Sequence, residues 1–181
     1  RAALLMGDFA TAASASKAVI DRGEYTLQSE YATLFLQSTK NAKEVIFALP
    51  TSRANGTGNF GNTANFISRN AAGFAGNAPS WDLFNAYLCT DGLPIDKSPL
   101  YNPRNPWLNR DPRCRATIVE FGTDHLGYIY DHHPKSLTVL KTSTNTQVDN
   151  QDTRAVNQFA AFNGLGWKKY VDVTGVHVSI D

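Results

Sequence analysis

Charge is scarce in this sequence. Of its 181 residues 18% are charged, and seventeen Lys and Arg stand against sixteen Asp and Glu. A net charge of +1 builds no field that would steer the chain to nucleic acid or anionic lipid, so neither class of partner is expected from charge. Cysteine is nearly missing as well. Cys89 and Cys114 stand alone, too few for a disulfide framework or a zinc site, and they leave the redox compartment open. No run of eighteen apolar residues occurs, which removes a transmembrane helix. The opening "RAALLMGDFATAASASKAVIDRG" has no basic leader of any length, and Asp8 interrupts its apolar stretch, so it does not read as a signal peptide. It reads as the end of one helix and the whole of a second, an abrupt start that suits a piece of a longer chain. Aromatic residues, at 11%, are plentiful, and several fall in loop-like segments.

Leu4 and Leu5 close the first helical stretch. Asp8 is placed to cap the next, because its carboxylate can accept orphan backbone N–H groups. Phe9, Ala12, Ala13, Val19 and Ile20 then recur at helical spacing, and Gly23 supplies the left-handed stop. The buried stripe is mostly alanine, as in the close-packed hairpins of tetratricopeptide repeats. Ser29 caps a short expected helix, Glu30 to Leu36, and "EVIFALP", residues 44–50, is a brief β-rich run that Pro50 stops.

Residues 51–79 change character. The segment "TSRANGTGNFGNTANFISRNAAGFAGNAP" has five Gly, six Asn and no Asp, Glu or Lys. Loops of this length are usually functional or disordered, and Phe60, Phe66 and Phe74 argue against plain disorder. A well-marked helix follows in "PSWDLFNAYLCTDGLPI", with Ser80 as cap, Asp82 in the first turn and Gly92 as the stop. Its expected buried face is Leu83, Phe84, Tyr87 and Leu88. Four prolines in residues 98–113 keep the next stretch extended and turning. Strand-like runs are expected at 117–121, 137–140 and 176–180, with a polar surface connection over 141–158.

Candidate chemistry is thin. Gly56, Gly58 and Gly61 match G-x-G-x-x-G, with Asp82 about 20 residues on. Six residues, Pro50 among them, separate Leu49 from the first glycine, and "NTANFISRN" is a poor helix on which to seat a pyrophosphate. Asp131-His132-His133 lacks any metal-ligand spacing and reads as a solvated turn. Asp149 and Asp152 lie in a polar stretch without the EF-hand pattern. No G-x-S-x-G occurs, and neither cysteine has a histidine near it in sequence. No cofactor and no metal are expected.

"LNRDPRCRATIVEFG", residues 108–122, admits two readings. Arg110, Asp111, Arg113 and Arg115 could make an anion-binding patch. Alternatively Pro112 holds Asp111 extended, the carboxylate accepts backbone N–H groups or pairs with an arginine, and the guanidinium forks of Arg110 and Arg113 cap unpaired carbonyls. The second reading, a structural corner, is favoured. Tyr25, Tyr31, Phe35 and Phe84 sit at helical spacings and are expected in the core. Phe60, Phe66, Phe74, Tyr101, Trp107, Tyr128, Tyr130 and Trp167 are less tied to regular elements. An exposed ring beside Asn and Arg suits a sugar, whose C–H face stacks while amides and guanidinium meet its hydroxyls.

Five segments, in order, resemble one family. They are "DFATAASASKAVIDRGEYTL", "YATLFLQSTKNAKEVIFAL", "PSWDLFNAYLCTDGLPI", "NRDPRCRATIVEFG" and "GLGWKKYVDV". They are similar to segments of the SusD/RagB family of cell-surface nutrient-binding lipoproteins of Bacteroidetes, the N-R-D-P-R pattern most specifically. The resemblance implies a mainly α, SusD-like fold with a tetratricopeptide-like helical hairpin plus a long loop-rich portion with a few short strands. The chain would be a single SusD-like region, an internal to C-terminal fragment, with the hairpin and a short strand in 1–50 and the loop-rich portion in 51–181.

The resemblance further implies binding without catalysis, of an oligosaccharide or other nutrient. The partner would be a SusC-like TonB-dependent outer-membrane transporter. The surface-exposed protein would be held at the cell outer membrane by an N-terminal lipid absent from this chain. A transporter-docking piece without glycan affinity, or a glycoside hydrolase, are the alternatives. The family's ligand residues vary, so the site is assigned from the residues themselves: Asn59, Phe60, Asn65, Phe66, Arg69 and Phe74 in the glycine-rich loop, with Trp107.

Overall fold

Residues 1–48 and 64–171 are described by a computed structural model of the chain. The chain divides into two compact units, Arg1–Pro50 and Thr51–Asp181. The first begins with two helices, α1 (Ala2–Leu5) and α2 (Phe9–Asp21). Asp8 caps α2 as its position predicts: the Thr11 N–H donates to its Oδ1 at 3.0 Å, and this bond lowers the carboxyl's pKa. Gly23, at φ +64°, follows the last turn. The apolar stripe expected to be buried is not. Phe9 is 69% and Ile20 76% exposed, and α2 has no buried residue. A stripe built mostly of alanine covers little, and α1, four residues long, is too short to sheathe it.

The helix expected at 30–36 is a 3₁₀ turn, Tyr31–Phe35, with no side-chain cap. Its five residues include Tyr, Thr and Phe, which lose side-chain freedom in a helix. Tyr31 and Phe35 meet edge to face at 5.0 Å. The run "EVIF" forms no strand; instead the Glu44 carboxylate accepts the Gln28 N–H at 2.7 Å and ties the unit's end to its middle. Leu49 and Pro50 lie outside the described residues, as do Gly56, Gly58, Gly61 and the expected strand at 176–180.

The second unit is built around Phe84, Trp107, Cys114, Ile118 and Leu165, with Tyr87 and Phe121 against them. Helix α3 (Trp81–Ala86) starts where Ser80 accepts the Leu83 N–H at 3.0 Å. It stops well before Gly92, because Arg110 takes its free carbonyls. The guanidinium Nη2 donates to Phe84 O at 2.6 Å and to Tyr87 O at 2.9 Å, while Tyr87 turns extended. Residues 88–90 then pair with 109–111: Asp111 N–H donates to Leu88 O and Thr90 N–H to Asn109 O. Phe84 is sealed, whereas Leu83 and Leu88 stay 36% and 39% exposed, so only part of the expected buried face is buried.

Helix α4 (Pro112–Thr117) replaces the start of the strand expected at 117–121. Asp111 caps it through Arg113 N–H, and Pro112 opens it with the φ a first turn requires. Ile118 then turns extended and bridges Trp167. Four short strands follow as an antiparallel meander: β1 (Asp124–His125), β2 (Tyr128–Ile129), β3 (Thr138–Lys141) and β4 (Thr146–Asp149). The expected strand at 137–140 is β3, with Val139 opposite Val148 in β4. The described residues therefore hold short helices, the longest 13 residues, and a small sheet joined by long irregular stretches, rather than a predominantly helical body.

Candidate functional site

Residues 64–77 fold back on themselves. The Phe74 N–H donates to Ala64 O at 2.7 Å, Ala75 N–H to Ile67 O at 3.0 Å and Asn77 N–H to Asn65 O at 2.9 Å. Ala72 and Ala75 take positive φ, 63° and 46°, to make the return, at about 1–2 kcal/mol each. Gly73 lets the two limbs touch: a Cβ there would lie 2.2 Å from Ile67 O, a collision with backbone that no rotamer relieves.

A buried polar cluster holds this turn to the chain that leaves β4. Asn70 Nδ2 donates to Asp152 Oδ2 at 2.7 Å and to Asn150 Oδ1 at 3.1 Å. Asp152 Oδ1 accepts the Arg69 N–H at 2.6 Å. Asn150 Nδ2 reaches Asp131 O and Ser136 O, both at 2.8 Å. Burial raises the Asp152 pKa above the ordinary carboxylate value, against the pull of the N–H groups that bond to it. Such a cluster fixes one geometry because every lost bond leaves a buried group unpaired.

The turn and the segment after β4 enclose an open groove of about 520 Å³. Phe74 stands on the turn, 50% exposed; Phe159 and Phe162, 64% and 88% exposed, come from the later segment. Two arginines stand among them. The Arg69 guanidinium lies 5.5 Å from the Phe159 ring centroid and that of Arg154 3.8 Å from Phe162. Each is steadied by one backbone carbonyl at 3.2 Å, Gly73 O for Arg69 and Ala160 O for Arg154. Gln158 adds an exposed amide. Aromatic faces suit the C–H side of a sugar ring, and amide and guanidinium donors suit its hydroxyls. The described lining has no aspartate or glutamate, so it carries no pair of carboxylates of the kind that cleaves a glycosidic bond.

Residues 43–179 match the sequence profile of the SusD family. The chain belongs to the SusD family. In structure, this SusD-family chain is similar to a SusD-like carbohydrate binding protein from Bacteroides fragilis, with a TM-score of 0.73 at 24% identity. The match covers 96% of this chain and 32% of that one, so the chain spans about a third of that protein's length. Among curated proteins none matches in sequence.

The residues expected at the SusD-family site are scattered by the fold. Arg69 and Phe74 line the groove. Phe66, 40% exposed, borders a separate crevice of only about 10 Å³ beside His125 and Tyr130. Asn65 is half-buried under Gly76, and its carbonyl accepts the Asn77 N–H. Trp107 needs correcting as a ligand residue: it is 4% exposed and wedged edge to face between Phe84 (4.7 Å) and Phe121 (5.5 Å). Its position in a proline-rich stretch suggested exposure, but the core closes over it. Asn59 and Phe60 lie outside the described residues.

Arg154, Gln158, Phe159 and Phe162 were hidden in a segment read as surface connection and its continuation. The available signal was two phenylalanines three apart, flanked by Arg, Gln and Asn.

Among the described residues, no group of three or more His, Cys, Asp or Glu is placed to hold a metal ion. His132 packs tilted, at 45°, against Phe121 with ring centroids 4.5 Å apart, while His133 Nδ1 accepts the Lys135 N–H in a turn. Cys114 is buried, and desolvation pushes its thiol up to about 11, which suits packing and not nucleophilic attack.

Proposed function

We propose that this chain binds an oligosaccharide or other nutrient in the groove between residues 69–78 and 154–163, and does not cleave it. The whole protein then delivers that ligand to a SusC-like TonB-dependent transporter at the outer membrane, where a lipid on its N-terminal part anchors it. One observation carries the reading: three exposed phenylalanines, interleaved with two arginines and an amide, around one open groove. Large exposed rings are costly on a free surface and are kept where a ligand covers them. Family membership supports a nutrient-binding role over a catalytic one. The exposed stripe of α2 supports its place as one hairpin of a tetratricopeptide-like stack.

Calorimetry against plant, host and starch glycans tests the reading. Binding that falls about tenfold or more in a Phe159→Ala, Phe162→Ala double variant supports it. Absence of affinity for every glycan favours a docking piece instead, and release of reducing sugar favours a hydrolase.

A further inference from the structure

The groove is not electrically neutral. Its described lining carries Arg69 and Arg154 and neither aspartate nor glutamate. Neither guanidinium has a carboxylate partner among the described residues, whereas Arg22, Arg113 and Arg115 each pair with an acid. Asp152, the acid bonded to the Arg69 backbone, is 4% exposed and spends its oxygens on the Arg69 N–H and the Asn70 amide. It is no part of the lining. Among the described residues, the hydrogen bonds of both groove arginines use Nη1 and leave Nη2 with donors to spare.

A neutral sugar needs donors and acceptors in similar number, because each hydroxyl is both. This lining is instead rich in donors and positively charged. Arginine is also the side chain whose planar fork matches an oxyanion with two parallel bonds. Holding each guanidinium near a phenylalanine ring desolvates one face of the charge and limits its motion. Both effects raise what an anion gains by meeting it.

We infer that the groove selects acidic oligosaccharides, whose rings stack on Phe74, Phe159 and Phe162 while a carboxylate or sulfate group is held by Arg69 and Arg154. The inference rests on the groove being the glycan site. It adds to that reading the chemical class of the ligand, which nothing in the family assignment supplies.

The test is calorimetry on the 181-residue chain with matched pairs. Uronic-acid oligosaccharides are titrated beside the same oligosaccharides with their carboxyls methyl-esterified, and sulfated oligosaccharides beside their desulfated forms. The acidic member of a pair is expected to bind at least about tenfold more tightly than its neutral counterpart. That preference should shrink as salt rises from about 0.05 M to about 0.5 M. Arg154→Gln, at an exposed side chain, should bring the acidic ligand close to the affinity of the neutral one, and Arg69→Gln should do the same.

A preference confined to the uronates or to the sulfates identifies which anion the forks hold. Equal affinity within every pair, or neutral glycans binding best, overturns the acidic selection and leaves the groove a glycan site. Absence of binding by acidic and neutral members alike overturns both.

Discussion

Arg110 lies over the ring of Phe84, its guanidinium carbon 4.8 Å from the centroid, and donates to that residue's own carbonyl at 2.6 Å. One side chain thus ends α3, covers the largest sealed core residue and, through Tyr87 O and Pro106 O, joins three stretches of chain. The anion-patch alternative for this region fails on the same observation, since Arg110 is 5% exposed and both its Nη groups donate to carbonyls. Arg115 works likewise, donating to Trp107 O at 2.9 Å. Arg113 pairs with Asp111, the carboxylate that caps α4, as the corner reading expects of a flanking arginine.

Arg110→Ala should therefore destabilise the second unit by about 3 kcal/mol or more, because three carbonyls lose a charged donor in the interior. Arg113→Ala, at a side chain 60% exposed, should cost under about 1 kcal/mol. Urea unfolding followed by tryptophan fluorescence measures both. Equal losses would remove Arg110 from its place as the corner's keystone.

The groove phenylalanines separate from the buried aromatics in the same way. Phe159→Ala and Phe162→Ala should leave the unfolding free energy within about 0.5 kcal/mol of the parent, being exposed, while lowering glycan affinity. Trp107→Ala should do the reverse in stability, costing about 3–5 kcal/mol from a closed core. Thermal melting paired with calorimetry distinguishes the two classes.

Gly73→Ala probes the turn that carries Arg69 and Phe74. A methyl 2.2 Å from Ile67 O has to push the two limbs apart, so groove binding should fall although no ligand-contacting side chain has changed. The core of the second unit should stay folded, read as an unaltered tryptophan emission maximum. Wild-type affinity in this variant would show that the turn does not set the groove.

Acid should weaken the second unit through His125. Burial lowers its pKa from 6.5 to about 4, with Lys168 assisting. The unfolded chain then binds a proton between those values that the native state refuses. Stability is present in full above about pH 6.5 and is lost as pH falls toward 4, by about 3 kcal/mol for this group. His132, also lowered by burial, acts in the same direction. Asp152 acts oppositely, since its raised pKa lets the native state take up a proton first as pH falls from neutrality. Unfolding free energy measured from pH 7 to pH 4 should decline in the parent and decline less in His125→Gln.

The caps show where sequence reading succeeds. Asp8, Ser80 and Asp111 each accept an N–H two or three residues ahead, so the whole interaction fits inside a short window of letters. The corner at 110–115 was legible for the same reason, since Pro112 constrains its neighbour directly. Element lengths were not legible. Nothing within "WDLFNAYLCTDG" announces that α3 stops at Ala86, because the group that takes its carbonyls is Arg110, 26 positions after Phe84.

Which aromatic would be buried and which exposed was decided at still longer range. Phe74 and Trp107 looked alike in sequence, two rings in irregular segments near Asn and Arg. One stands at a groove and the other is sealed, because the core closes on Trp107 from α3 and Phe121. The wall that completes the groove comes from residues 154–163, and it is held to the glycine-rich turn by Asn70 and Asp152, 82 positions apart. The order of its motifs and its local caps belong to the sequence alone. The groove belongs to the tertiary structure, because accessibility and convergence depend on which distant segments the buried hydrogen bonds bring together.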